Sequence, residues 1–387
     1  MQFLPLVAPG PILSSDEIER YARQIAIPEF GELGQRRLGA ARVLVVGAGG
    51  LGSPVLLYLA AAGVGTLGII DFDLVEESNL QRQVLYSQSN IGKGKADCAK
   101  ARIAEINSNV RVQLHPVRLT SANSLAIFAE YDVIIDGTDN FATRYLINDS
   151  CVILGKPAIW GSIFRFDGQT SIFWAKHGPC YRCFHPEPPP FGSVPNCQEA
   201  GVLGILCASI GSIQATEAIK LITGMGEPLI GAVMIYDGLK MEYEKIPINK
   251  DPLCVICGAS PSQVKLLENY EEFCGSKSGM GENMKIAGAI TVSDLERMIS
   301  EGDKFLLVDV REPREWESGR IEGAVLIPQG EIFDGSAIAG LPKEIPIVLY
   351  CRSGVRSADC LEELRGAGFP DAMHLEGGIL AWQESAH

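Results

Sequence analysis

Arg42-Val43-Leu44-Val45-Val46-Gly47-Ala48-Gly49-Gly50-Leu51-Gly52, followed by Gly65 to Ile70 and Asp71-Phe72-Asp73, is the stretch that decides the fold. Four aliphatic residues run into a glycine-rich turn, and an apolar segment leaves it. A strand buried on both faces reads as a continuous apolar run. Glycines at its end let backbone N–H groups approach a phosphate at the positive end of the following helix. About twenty residues on, Asp71 closes the next strand, where a carboxylate holds ribose hydroxyls in dinucleotide-binding units.

The glycine turn alone would also suit a nicotinamide enzyme. The run Ser78-Asn79-Leu80-Gln81-Arg82-Gln83, and then Lys95, shifts the reading. These residues bring cationic and amide groups to the phosphates. A triphosphate under attack needs such clamps, and a dehydrogenase has less use for them. No G-x-x-x-x-G-K-[ST] sequence is present, which argues against a P-loop ATPase.

Outward from this core, strands are expected at 42–47, 66–71, 111–117 and 132–136, and helices at 53–62, 93–107, 121–129 and 141–154. The alternation predicts an α/β fold: a doubly wound, mostly parallel, Rossmann-like sheet covered on both faces. Ser14-Ser15-Asp16-Glu17 is a capping signal for a helix ending near Gln24. Residues 158–174 read as extended, a long apolar helix is expected at about 199–223, ended by Gly224, and a strand pair at 230–248. Gly275 to Asn283 has linker composition. A second, smaller α/β pattern follows, with strands at 305–309, 346–350 and 372–375. The domains are placed at 1–265 and 286–387, with a flexible linker at 266–285.

At 387 residues, two domains each have enough chain for a core. A net charge of −14 argues against a nucleic-acid partner. No apolar run is read as spanning a membrane. The N-terminus lacks a basic region and carries early prolines, so it does not read as a signal peptide, and a cytoplasmic location is expected. Eleven cysteines without a secretory signal point to a reducing compartment and to thiols used for metal or catalysis.

Cys180-Tyr181-Arg182-Cys183 and Cys254-Val255-Ile256-Cys257 are two C-x-x-C knuckles, the pattern of a closed tetrahedral zinc site with a structural role. His177 and His185 flank the first knuckle as alternative ligands, but the four cysteines suffice. Cys351-Arg352-Ser353-Gly354-Val355-Arg356-Ser357 follows the strand Ile347 to Tyr350 and leads into a helix at about Ser357. There a thiolate is stabilised by backbone N–H groups and, on this reading, by two arginines. This suits a persulfide carrier. A cysteine phosphatase would need its arginine one position later, where serine stands.

The first 265 residues resemble the ThiF/MoeB/HesA family, prokaryotic relatives of ubiquitin-activating enzymes. Leu307-Val308-Asp309-Val310-Arg311, Gly323-Ala324, Tyr350-Cys351-Arg352, Gly368-Phe369, and Leu375-Glu376-Gly377-Gly378-Ile379 with Trp382 resemble a rhodanese domain. The common His-Ile-Pro-Gly-Ala of that domain reads Arg320-Ile321-Glu322-Gly323-Ala324 here. Together they resemble the MoeB–rhodanese fusion type. The resemblance implies that Gly50, Asp71, Ser78, Asn79, Leu80, Gln81, Arg82, Lys95, Asp139 and Asn140 contact ATP, with Mg²⁺ on Asp139. It implies that Lys95, Arg82 and Arg23 support catalysis. Arg23 would reach into a partner subunit's nucleotide site, which implies a homodimer. Cys197 matches a second catalytic cysteine, either a transient acyl thioester or a thiol that releases product. The implied activity is adenylation of the C-terminal glycine of a small β-grasp, ubiquitin-like sulfur carrier with a Gly-Gly tail. Conversion to a thiocarboxylate would follow, with sulfur from Cys351 supplied by thiosulfate or a cysteine desulfurase. The alternative is an acyl thioester on Cys197 with the rhodanese domain accessory. Molybdopterin, thiamine, cysteine and tRNA-thiolation pathways all stay open. Cys207 is expected in the core, and Cys274, near the linker, is a candidate for a regulatory disulfide.

Overall fold

A computed structural model describes residues 3–189, 201–258, 264–274 and 288–385. Cys197 and the stretch 275–283 lie outside the described residues. The chain divides into two compact units, Met1–Ser278 and Gly279–His387.

The first unit is built on an eight-stranded sheet: β1 (Arg42–Val46), β2 (Thr66–Ile70), β3 (Arg111–His115), β4 (Val133–Asp136), β5 (Ala158–Phe164), β6 (Asp167–Phe173), β7 (Ala232–Asp237) and β8 (Glu242–Pro247), in the order β3-β2-β1-β4-β5-β6-β7-β8. The first five strands are mutually parallel, and β5 to β8 continue antiparallel. Alternate residues of the parallel strands go to opposite faces. Val43, Val45, Leu67, Ile69, Val133 and Ile135 pack on one side with Leu59, Ile103 and Leu221. Leu44, Val46, Ile70 and Ile134 pack on the other with Phe128, Tyr145 and Cys151. Both faces are covered, so the strands are apolar throughout. The chain leaves β1 toward β2 on one side and later reaches β4 on the other. The C-terminal ends of β1 and β4 therefore flank the crevice where doubly wound sheets take ligands.

Several expectations shift. The N-terminal helix is two short ones, Ser15–Arg20 and Ala22–Ile25, the first closed by the predicted capping box between Ser14 and Glu17. The helix Gly31–Ala40, which carries three glycines and no capping residue, was not read from sequence. The long apolar helix is described from Ile205 to Thr223 and is ended by Gly224 at φ +77°. It does have the length and apolarity of a membrane span, with a mean hydropathy of 1.4. Leu206, Ile210, Ala218, Leu221 and Ile222 are buried within the unit. Residues 266–274, read as the start of the linker, instead pack on the first unit. Asn269 caps the short helix Tyr270–Phe273, the Tyr270 hydroxyl donates to Asp149 at 2.7 Å, and Tyr270 and Cys274 are buried.

The second unit has a five-stranded parallel sheet: β9 (Ala289–Ile290), β10 (Leu306–Asp309), β11 (Val325–Leu326), β12 (Ile347–Tyr350) and β13 (Met373–Leu375), ordered β11-β10-β12-β13-β9. Val308, Leu349 and Leu364 pack on one face, and Leu307, Val348 and Leu295 on the other.

Candidate functional site

The glycine turn after β1 is shaped by close backbone approach. Gly47 has φ +87°, and a Cβ there would stand 3.0 Å from the Gly137 carbonyl oxygen. That contact joins the turn after β1 to the turn after β4, which carries Asp139 and Asn140. A Cβ on Gly50 would stand 2.7 Å from Cys207 Sγ and 3.6 Å from Arg82 Cδ. Cys207 is buried as expected, but it also forms the wall of this turn. The run Ser78 to Gln83 starts on a 3₁₀ turn, Glu77–Asn79, and reaches the start of the long helix, where Gln81 abuts Gly204. Asn79 is buried and accepts from Glu76 N, Leu80 packs against the core, and Gln81 is exposed. Gln83 is 4 % exposed and its Oε1 has no hydrogen-bond partner among the described residues, beside Gly49.

Asp71, at the end of β2, is held by two backbone donors. Its Oδ2 accepts from Ala48 N at 2.8 Å and its Oδ1 from Asp73 N at 2.9 Å. Burial pushes its carboxyl above the usual range, opposed by those two N–H donors and by Lys95. Lys95, first residue of the helix Lys95–Ile106, is buried and donates from Nζ to Asp73 Oδ2 at 3.0 Å.

On the β4 side, Asp139 is exposed and nothing among the described residues bonds to it. Asn140 caps the helix Phe141–Leu154, accepting from Thr143 N at 2.9 Å. Behind them Asp136 accepts from Thr138 N and Oγ1, and burial raises its pKa. Arg144, which sequence reasoning missed, is buried and donates to the Thr138 carbonyl at 3.3 Å. With Trp160 and Tyr181 it lines a small cavity next to Asp136. An arginine within Ala142-Thr143-Arg144-Tyr145 carries no signal that separates it from a solvated helix face. Arg23 is exposed on its short helix, and no described contact brings it to this site.

The sulfurs of Cys180, Cys183, Cys254 and Cys257 lie within 4.8 Å of one another. Three pairs are 3.9, 3.6 and 3.3 Å apart. Four thiolates at zinc bonding distance in a tetrahedron stand about 3.8 Å apart, so the cluster fits zinc. The hydrogen bond from Cys180 holds Cys257 down to about 5 and pushes Cys180 up, and burial pushes Cys183 up to about 11. His177 packs its ring on Trp174 at 4.1 Å, and burial holds His185 down to about 4. Neither histidine belongs to the cluster.

In the second unit Cys351 follows β12, and Gly354, at φ +92°, caps the helix Val355–Gly366, two residues earlier than expected. Cys351 Sγ accepts from Gly354 N at 3.2 Å. Arg352 is exposed, and Arg356 is engaged bidentately by Glu315 at 2.8 Å on both oxygens. The arginine holds the Glu315 carboxyl below the usual range. A depressed carboxyl contributes stability above its ordinary pKa of 4.5, and that contribution is lost as pH falls through the lowered value. Melting of the second unit, followed from pH 6 to pH 3, should therefore fall less steeply in Glu315→Gln than in the wild type; equal slopes would contradict it.

Residues 21–256 match the ThiF family and residues 291–385 the rhodanese-like domain. The chain is 52% identical over 382 residues to a probable adenylyltransferase/sulfurtransferase MoeZ of Mycobacterium tuberculosis, covering 98% of this chain and 96% of that one. It is 42% identical over 381 residues to the adenylyltransferase and sulfurtransferase MOCS3 of Drosophila ananassae, covering 96% of this chain and 84% of that one. Over 267 residues it is 50% identical to a sulfur carrier protein adenylyltransferase of Thermus thermophilus, covering 68% of this chain and 98% of that one. Among solved structures, E. coli MccB bound to MccA-N7isoAsn superposes with a TM-score of 0.57 at 23% identity, covering 64% of this chain and 76% of that one, a likeness of fold.

Proposed function

This chain belongs to the ThiF family and carries a rhodanese-like domain behind it, and on that premise we propose that it adenylates the C-terminal glycine of a small β-grasp sulfur carrier and converts it to a thiocarboxylate. The observation that carries this reading is the presence in one chain of two matched devices: the cradle of Gly50, Asp71, Arg82 and Lys95, and a cysteine at the mouth of a helix-capping loop.

The glycine turn and Asp71 hold the nucleotide, with the phosphates toward Arg82 and Lys95. The tail carboxylate attacks the α-phosphate, and pyrophosphate leaves. Arg82 and Lys95 offset the charge that develops. Lys95 is fixed for this by its ion pair with Asp73 at 3.0 Å, within a buried setting. Asp139, exposed and uncommitted at the end of β4, fits a magnesium ligand, and the ion would neutralise phosphate charge there. The four-cysteine cluster fits structural zinc, tying the segment before the long helix to the segment after β8.

The persulfide sulfur on Cys351 then attacks the activated carbonyl and AMP leaves. A thiol, which we assign to Cys197, attacks the Cys351 sulfur of the resulting acyl disulfide and liberates the thiocarboxylate. The homodimer and the role of Arg23 stay part of the proposal; a sedimenting species of twice 41.7 kDa is its test.

The deciding experiment is intact mass of Gly-Gly-tailed β-grasp proteins after incubation with the enzyme, ATP, Mg²⁺ and thiosulfate. Replacement of one oxygen by sulfur in a panel member supports the reading. Pyrophosphate exchange without that shift would favour the thioester on Cys197. A smaller effect is expected at the glycine turn. Because a methyl on Gly50 meets Cys207 Sγ at 2.7 Å, Gly50→Ala should raise the KM for ATP in pyrophosphate exchange about tenfold. Adding Cys207→Ala should recover part of that loss, and no recovery would place the damage elsewhere.

A further inference from the structure

The sulfur of Cys351 is fully buried, and two hydrogen-bond donors stand beside it. One is the Gly354 N–H at 3.2 Å, presented by the left-handed backbone of that glycine. The other is the Ser357 hydroxyl, 3.7 Å from Sγ and 3.1 Å from the Gly354 carbonyl oxygen. Ser357 is itself fully buried. A hydroxyl carries one proton, so it serves either the carbonyl or the sulfur at a given moment. Arg356 pairs with Glu315, and the Gly354 N–H stands at the head of the helix Val355–Gly366, where the dipole favours negative charge.

We infer that Ser357 is a catalytic residue of sulfur transfer: its hydroxyl swings from the Gly354 carbonyl to Cys351 Sγ whenever that sulfur is a thiolate. The inference rests on Cys351 being the sulfur carrier. In the cycle the sulfur is anionic twice. It is the thiolate that attacks the outer sulfur of the donor, forming the Sγ–S bond while the donor's remaining thiolate or sulfite leaves. After thiocarboxylate release it sits in a disulfide. An external thiolate attacks the other sulfur of that disulfide, the S–S bond breaks, and its electron pair leaves on Cys351. In the second step the leaving thiolate takes a proton-sharing partner as it forms, and a hydrogen bond to a developing anion acts there directly. The persulfide itself has a neutral inner sulfur, for which the hydroxyl is free to return to Gly354.

The test uses the full chain with no ATP and no carrier, so it stands or falls apart from thiocarboxylate formation. Cys351 is converted to its glutathione mixed disulfide, and its release by dithiothreitol at pH 7 is followed by peptide mass, alongside alkylation of the free thiol by iodoacetamide. Ser357→Ala should slow release about tenfold, the size expected for a hydrogen bond to a charged group. Ser357→Thr should stay within twofold of wild type, and Ser357→Val, which differs from threonine by one methyl for the hydroxyl, should be as slow as alanine. The Thr/Val pair decides the matter if the alanine variant fails to fold. Rates within twofold for alanine and valine, or an equal loss in threonine and valine, would overturn the assignment.

Discussion

Cys351→Ala is expected to abolish thiocarboxylate formation, by on the order of a thousandfold or more, since a missing nucleophile removes a covalent step outright. The same variant should keep ATP–pyrophosphate exchange within twofold of wild type. On the proposed function the two activities rest on residues in separate compact units: Gly50, Asp71, Arg82 and Lys95 in the first, Cys351 in the second. Cys351 is buried beneath Gly354 and Ser357, and its carbonyl accepts from Ile379 N at 2.8 Å. Alanine at the site removes one sulfur and leaves these backbone bonds intact, so the fold should survive. The complementary variant Lys95→Ala should do the reverse and depress exchange while leaving persulfide loading of Cys351 unchanged. If Cys351→Ala retained thiocarboxylate production, sulfur would have to enter by another route and the second unit would be accessory.

Most of the architecture follows from local chemistry. Val43 to Val46 and Val133 to Ile135 are continuous apolar runs because both faces of their strands are covered. The four-cysteine cluster was legible because two C-x-x-C pairs have few other uses. What stayed hidden depends on residues distant in sequence. Arg356 also has a carboxylate partner, Glu315, which lies 41 positions earlier on a helix with its own capping box. Cys207 reads as an ordinary core thiol until the fold sets it against Gly50. Asp136 and Arg144 are buried by Trp160 and Tyr181, which come from a strand and a knuckle beyond them. The docking of residues 266–274 rests on distant partners: the Tyr270 phenol meets Asp149, 121 residues away, and the Ser121 hydroxyl donates to the Leu267 carbonyl at 2.6 Å. Periodicity and spacing report what a segment does to itself, and these contacts are made between segments.

Asp149 is also where the largest loss of stability is expected. Its carboxylate is fully buried and accepts from Arg182 Nε at 2.9 Å, Arg182 Nη2 at 2.8 Å, Tyr270 Oη at 2.7 Å and Asn148 Nδ2 at 2.9 Å. Arg182 lies between two cysteines of the metal cluster, and its guanidinium stacks over Tyr145 and Phe273 at 4.8 and 4.6 Å. One carboxylate thus holds together the helix Phe141–Leu154, the first knuckle and the segment that leads toward the second unit. Removing it leaves a buried guanidinium with only ring faces for company. Breaking such a pair from one side costs about 3–5 kcal/mol, whereas replacing both members with apolar groups is often near neutral. Asp149→Ala should therefore lower the urea stability of the first unit by about 3–5 kcal/mol and speed zinc loss to a chelator, and Asp149→Leu with Arg182→Met should recover most of it. Zinc release, read with a metal-sensitive dye during the urea titration, isolates the first unit from the second. A loss below about 1 kcal/mol in Asp149→Ala would mean that water reaches Arg182 as readily as Asp149 does, and that the four-cysteine cluster holds the knuckle without this network.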